Sequence, residues 1–153
     1  MTAPFPYRAA LLSLFGAALG SILWVLIAIA GDLERAIPAL LVGIFSGAAT
    51  RLTPKRGRPA QLLALTFTII GLAIVQYLVV RHAIVTQLVE TGDGRSVPML
   101  LSPASMWFVT FGWLRVYPAD AIFWVISAAL AFLLPLGGET PTTRGVAALA
   151  SEA

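Results

Sequence analysis

Few side chains in this sequence are able to carry acid–base or metal chemistry. His82 is the only histidine, and the acidic residues that follow it are Glu90 and Asp93. A tight metal site needs several convergent ligands and a supporting shell of hydrogen bonds, which one histidine and two carboxylates in an irregular segment do not provide. We therefore expect His82 to be a solvated or interfacial side chain, and we predict no metal site.

The sequence also lacks the motifs that are usual for nucleophilic and redox chemistry. The chain has no cysteine, so it forms no disulfide and offers no thiolate ligand or nucleophile. It contains no Gly-x-Ser-x-Gly turn, no phosphate-binding loop and no dinucleotide fingerprint. We predict that the chain is not an enzyme. A lipid-modifying activity would have to rely on His82, Glu90, Asp93 or Asp120.

Polar residues within long apolar stretches are the usual sign of transport or proton movement. Here they are Thr66, Thr68, Gln76 and, at a helix start, Asp120. Ion-coupled transport normally needs a charge near the middle of the membrane, and the apolar stretches hold none there, which argues against secondary transport by this chain alone. The alternative is a transport or channel component that acts as an oligomer, with Thr66, Thr68 and Gln76 as its polar stripe.

The elements that must position these residues are membrane helices. Hydrophobic residues make up 59% of the 153-residue chain and charged residues 11%, whereas about one quarter of an average soluble domain is charged. A spanning helix needs about 20 mainly apolar residues. The candidate stretches are residues 9–30, 36–52, 60–80 and 118–136. The sequence thus predicts an all-α integral membrane bundle of four transmembrane helices, in a single domain over residues 1–137.

The first of these stretches ends in Ala28-Ile29-Ala30, which resembles a signal-peptidase site. However, its apolar run is longer than the usual core of a signal peptide, and Arg8 is the only basic residue before it. We therefore interpret it as an uncleaved transmembrane helix.

Two pairs of glycines four residues apart lie in the first two predicted spans. They are Gly16 with Gly20, and Gly43 with Gly47. Glycines at this spacing form a groove in which a second helix backbone can approach closely. Two interpretations follow: the first helix packs on the second within one chain, or the grooves contact another subunit.

A cluster of basic residues separates the second and third spans. It consists of Arg51, Lys55, Arg56 and Arg58, four of the ten basic residues. Because short basic loops stay in the cytoplasm, both termini are predicted to be cytoplasmic, including a mobile tail over residues 138–153. The cluster either sets this topology alone or also binds anionic lipid headgroups or an acidic partner. The net charge of +3 therefore does not indicate nucleic-acid binding.

The segment between the last two spans is rich in aromatic residues. Its start, residues 81–90, has helical spacing, so the third helix is expected to project beyond the bilayer; a hairpin turning at residues 92–94 is the alternative. Ser102 followed by proline predicts a helix over residues 103–116. Trp107 and Trp113 in that helix favour a location in the outer interface, with a re-entrant segment as the alternative. The same two residues are predicted to contact a partner. Arg115 and Asp120 are expected to pair nearby.

Two sequence stretches resemble small uncharacterised four-helix bacterial inner-membrane proteins. The first is Ala39-Leu-Leu-Val-Gly43-Ile-Phe-Ser-Gly47-Ala-Ala, followed by the basic loop at Arg51 and a span that contains Gly71. The second is Tyr117-Pro118-Ala-Asp120-Ala-Ile-Phe-Trp with the small residues 128–131. Together they cover about half the chain. The resemblance implies a helical bundle in the bacterial inner membrane. It implies no activity.

These observations favour a non-catalytic accessory, scaffold or assembly subunit of a larger membrane protein complex. Its partners would be membrane lipids and other membrane subunits. We predict no cofactor, although the apolar and aromatic walls would also suit a pigment, a quinone or a lipid.

Overall fold

The computed structural model describes residues 7–31, 37–53, 58–92 and 102–136. These residues are 93% helical and contain no strand, which confirms the all-α class. The helices are α1 (Tyr7–Gly31), α2 (Ala39–Arg51), α3 (Arg58–Glu90), α4 (Pro103–Val116) and α5 (Pro118–Leu133), and α5 continues into a 3-10 turn at Leu134–Leu136.

Three of these helices are long and apolar enough to cross a membrane, namely α1, α3 and the segment formed by α5 with its 3-10 turn. They correspond to three of the predicted spans. Proline at the first turn of α5 and Asp120 in the same turn mark the start of that helix, as its sequence indicates.

The second predicted span is shorter than the expected residues 36–52. Pro38 is the N-cap of α2 and not a residue of its first turn, and the helix ends at Arg51. Its 13 residues extend over about 20 Å at 1.5 Å per residue, against a hydrocarbon thickness of about 30 Å. Residue 36 lies outside the described part of the chain.

Helix α3 is longer than the predicted span, as expected for a helix that projects. It runs unbroken to Glu90, and Gly92 follows in the left-handed region with φ of 73°. Glycine adopts this conformation without strain and so ends the helix. The alternative of a hairpin is wrong for the residues up to Gly92, while Asp93 lies outside the described residues.

Helix α2 forms the centre of the bundle and packs against α1, α3 and α5. The residues that face each other show that α2 runs antiparallel to α1 and α3 and parallel to α5. Trp24, Val42, Leu72 and Val75 form the core around it, each almost completely buried. The short central helix therefore contacts all three longer ones, while Ile44 on its remaining face is exposed.

Helix α4 begins as the sequence predicts. Ser102 is its N-cap, and the Ser102 hydroxyl accepts a hydrogen bond from the backbone N–H of Ser105 at 3.4 Å. Tyr117 separates α4 from α5, so the two helices follow each other with one residue between them. The predicted tail over residues 138–153 lies outside the described residues.

Candidate functional site

The first glycine pair places the backbone of α1 directly on α2. A Cβ atom on Gly16 would collide with the carbonyl oxygen of Phe45, and one on Gly20 would lie 2.6 Å from the Cα atom of Val42. Contacts this short leave no room for any side chain at either position. Gly16 and Gly20 are thus used for packing within the chain.

The second pair faces a different helix from the one expected. A Cβ atom on Gly43 would collide with the carbonyl oxygen of Ser127, and one on Gly47 would lie 2.9 Å from the Cβ atom of Leu134. The Gly43 and Gly47 groove therefore receives α5 and its 3-10 turn, not α1. The two glycine motifs do not face each other, because α2 lies between α1 and α5.

A serine hydroxyl joins α5 to the first turn of α2. Ser127 Oγ donates to the carbonyl oxygen of Ala39 at 2.8 Å and accepts from the backbone N–H of Gly43 at 3.0 Å. Ala39 and Gly43 are four residues apart, the spacing of an ordinary helical acceptor and donor. The Ser127 hydroxyl therefore bonds to both of these backbone groups, and the absence of a side chain on Gly43 allows this close approach.

A second hydroxyl cluster joins α1, α2 and α3 nearer the other end of α2. Thr50 Oγ1 donates to Ser13 Oγ at 3.0 Å, and Ser46 Oγ lies 3.2 Å from the carbonyl oxygen of Ala64. The hydroxyls of Ser13 and Ser46 are 3.4 Å apart. All three hydroxyl-bearing side chains are fully buried. They therefore connect helices and do not form a surface for a ligand.

Helix α4 carries an aromatic surface, defined here by Trp107, Phe108 and Phe111. Phe108 is 83% exposed and Phe111 59% exposed. The Trp107 ring stacks on Phe111 with centroids 6.0 Å apart and lies 5.4 Å from the ring of Tyr77 on α3. Trp107 thus anchors the surface on the bundle while the two phenylalanines point away from it.

The opposite face of α4 is buried. Met106 and Thr110 are almost completely buried, and Thr110 Oγ1 donates to the carbonyl oxygen of Met106 at 2.8 Å. Trp113, the second tryptophan named from the sequence, packs on Tyr117 with ring centroids 4.8 Å apart. Trp113 is therefore placed at the junction of α4 with α5, apart from the aromatic surface.

Three polar side chains follow one buried stripe of α3. Gln61, Thr68 and Gln76 are each at most 3% exposed. One polar atom of each, Nε2, Oγ1 and Oε1 respectively, has no hydrogen-bond partner within the described structure. Thr66 is exposed on another face of the helix. Thr68 and Gln76 thus lie inside one chain and not on its outer surface.

The residues considered for metal or acid–base chemistry are spread out. His82 and Glu90 are both exposed on the projecting part of α3, and Asp120 is buried at the start of α5. In residues 7–31, 37–53, 58–92 and 102–136, no group of three His, Cys, Asp or Glu side chains is positioned to hold a metal ion.

The basic cluster lies in part within the described residues. Arg51 is the last residue of α2 and Arg58 the first of α3, and both are exposed. Lys55 and Arg56 lie outside the described residues. A headgroup contact at this cluster stays a prediction.

Sequence reasoning missed the roles of Ser127 and Thr50. A hydroxyl side chain in an apolar helix usually bonds back to its own helix, so its type alone does not indicate a contact between helices. For Ser127 one further signal exists, since it lies beside a run of small residues, the composition typical of a close helix contact.

Comparisons of this chain with protein-family models, with curated proteins and with solved structures gave no match. The functional interpretation therefore rests on the helix contacts and the exposed surfaces described above.

Proposed function

We propose that this protein is a non-catalytic accessory, scaffold or assembly subunit of a membrane protein complex in the bacterial inner membrane. Its packed interior is occupied by glycine, serine and threonine contacts that join its own helices. A partner is then bound through a surface that the bundle leaves exposed.

The observation that carries this proposal is the aromatic surface of α4. Large aromatic side chains dominate binding energy at protein interfaces, where truncation of one anchor costs about 2 kcal/mol or more. Phe108 is 83% exposed although it sits on a helix whose other face is fully buried. An anchored helix that presents such side chains outward suits contact with another membrane subunit.

The proposed topology has four crossings, with α2 as the short second one. The basic cluster then lies in the cytoplasm with both termini, and α4 lies at the opposite membrane interface. Single cysteines test this arrangement, because the chain has none of its own. In intact spheroplasts a membrane-impermeant thiol reagent should label Asp32→Cys but not Lys55→Cys. Labelling of both positions from the same side would show that α2 does not cross.

The partner contact is tested by purification from native membranes in a mild detergent. The double variant Phe108→Ala, Phe111→Ala should lose the proteins that co-purify with the wild type. The matched control is Phe15→Ala, because Phe15 on α1 is 61% exposed and thus resembles Phe111 in exposure. If the wild-type chain runs alone as a monomer at every concentration, the proposal is refuted.

A transport or channel component acting as an oligomer is the second candidate. Transport is favoured by the buried polar stripe of α3, where Gln76 is 1% exposed and its Oε1 atom has no partner in the described residues. Since this stripe lies inside one chain, each subunit of the oligomer would hold its own path. Buried polar groups without partners are costly in lipid and often belong to a path for water or solutes.

Substitution of Gln76 by leucine separates the two candidates. If the stripe is a transport path, Gln76→Leu should abolish solute flux in reconstituted vesicles, whereas Thr66→Ala on the exposed face should not. For an accessory subunit, co-purification with the partner should survive the Gln76→Leu substitution.

A further inference from the structure

A groove with one charged wall lies between the end of α1 and the projecting part of α3. Its volume is about 500 Å³. From α1 it is lined by the apolar residues Val25, Ala28 and Ile29. From α3 it is lined by the apolar residues Leu78, Val79, Ala83 and Val85 and by polar side chains over the same turns, which are Arg81, His82, Thr86, Gln87 and Glu90.

A second groove of about 440 Å³ runs along the same pair of helices within the apolar part of the bundle. Its lining is apolar apart from Ser21. The groove is concave because small residues lie along it, among them Ala17, Ala18 and Gly71, while larger side chains such as Phe67 and Ile74 contribute its walls.

The two grooves are continuous, since Val25 and Leu78 line both. Along α3 the apolar groove extends from Phe67 to Leu78, which is about 16 Å at 1.5 Å per residue. One leaflet contributes about half of the hydrocarbon core of about 30 Å. The apolar groove therefore matches the depth of a single leaflet, and the charged groove begins where the headgroups of that leaflet lie.

We propose that this continuous groove is a binding site for a zwitterionic aminophospholipid from the leaflet at the C-terminal end of α3. One acyl chain occupies the apolar groove. The lipid phosphate lies at Arg81 and His82, because a guanidinium group binds phosphate oxygens with two parallel hydrogen bonds.

The order of charges along the groove selects the headgroup. Arg81 and His82 lie next to the apolar groove, and Glu90 lies two turns further from it. In an aminophospholipid the phosphate is likewise next to the acyl chains and the ammonium group is further out. The Glu90 carboxylate is thus on the side of the ammonium group, whereas a neutral quinone head or an anionic glycerol headgroup would leave this charge without a counterpart.

The site requires only that α1 and α3 are in a membrane, so it does not depend on the accessory role or on any partner. Native mass spectrometry of the delipidated full-length protein, titrated with phosphatidylethanolamine, phosphatidylglycerol or a quinone, measures binding directly. The wild type should bind phosphatidylethanolamine in preference to the other two.

Two variants and their matched controls locate the lipid. Ala18→Phe fills the apolar groove from an exposed position, and Arg81→Gln removes the phosphate ligand; each should weaken phosphatidylethanolamine binding about tenfold or more. Ala129→Phe and Arg115→Gln make the same changes at exposed positions outside the groove and should leave binding unchanged.

The charge at the outer end is tested by Glu90→Gln. This variant should lose most of the preference for phosphatidylethanolamine over phosphatidylglycerol while it still binds a phospholipid. Thermal unfolding of each variant in detergent controls for folding. Equal binding of all three ligands by the wild type, or binding that Ala18→Phe and Arg81→Gln leave unchanged in folded protein, would overturn the proposal.

Discussion

The two short helices α2 and α4 are alike in length, with 13 and 14 residues, but they are used in opposite ways. Helix α2 packs against three longer helices, and the backbones of α1 and α5 touch its backbone. Helix α4 buries only Met106 and Thr110 and exposes its phenylalanines. The helix with small residues thus packs at the centre of the fold, whereas the helix with exposed aromatic residues lies at its surface.

The contrast is clearest at a pair of glycines. A Cβ atom on Gly43 of α2 would collide with the backbone of α5, while a Cβ atom on Gly112 of α4 would have no atom within 4 Å. In membrane helices, close backbone approach is a main source of association, since lipid removes the hydrophobic driving force between helices. The same residue type is therefore indispensable in α2 and replaceable in α4.

The largest effect should come from Gly43→Ala, which we expect to destabilise the protein by about 3 kcal/mol or more, because overpacking against backbone cannot be relieved by a rotamer change. Gly112→Ala should instead stabilise it by about 0.5–1 kcal/mol through helix propensity. Unfolding by titration with a denaturing detergent measures both.

A second variant shows whether the contact at Gly43 is with backbone or with side chain. Ser127→Gly should not rescue Gly43→Ala, since the nearest atom to the added Cβ is the Ser127 carbonyl oxygen. A full rescue would mean that the helices touch through side chains only.

The next effect should be the loss of the hydroxyl that joins α5 to α2. Ser127→Ala leaves the Ala39 carbonyl and the Gly43 N–H without that bond, and we expect a loss of about 1 kcal/mol. Thr66→Ala removes a hydroxyl from an exposed position on α3 and should change the unfolding free energy by less than about 0.5 kcal/mol. Equal effects of the two variants would contradict the bridging role of Ser127.

A smaller effect is expected between Ser13 and Thr50, whose hydroxyls are 3.0 Å apart. A double-mutant cycle with Ser13→Ala and Thr50→Val should give a coupling free energy of about 0.6 kcal/mol, the average for hydrogen bonds between membrane helices. Additive single effects would show that these hydroxyls bond only to their own helices.

The smallest effect on stability should be at the aromatic surface of α4. Phe108→Ala should shift the unfolding free energy of the isolated chain by less than about 0.5 kcal/mol, because the side chain is exposed. Trp107→Ala should cost more, since its ring contacts Tyr77. If Phe108→Ala strongly lowers the unfolding free energy of the isolated protein, the aromatic surface stabilises the fold and is not free for a partner.

Much of this contrast follows from local sequence, but the pairing of helices does not. The long apolar stretches and the cap at Ser102 predict the elements because each depends on neighbouring residues alone. Which helix fills the groove of Gly43 and Gly47 depends on the three-dimensional path of the chain, and the expected partner α1 differs from the observed α5. Similarly, the burial of Gln76 inside the bundle depends on the face that α3 turns to its neighbours.

Sequence alone also does not show which aromatic residues of α4 form the exposed surface. The tryptophans stand out in the sequence, yet Trp113 lies at the junction with α5 and only Trp107 belongs to the surface. Phe108 and Phe111 are the exposed members. Helical spacing places Trp107 and Phe111 on one side of α4, but only the contact with α3 fixes which side faces outward.

Photo-crosslinking in intact membranes distinguishes a partner contact at α4 from one at the apolar surface of α1. A photoreactive amino acid replaces Phe108 in one variant and Phe15, which is 61% exposed on α1, in the other. We expect a discrete adduct with another protein from position 108 and only lipid adducts from position 15. Lipid adducts alone from both positions would show that α4 does not contact a partner protein.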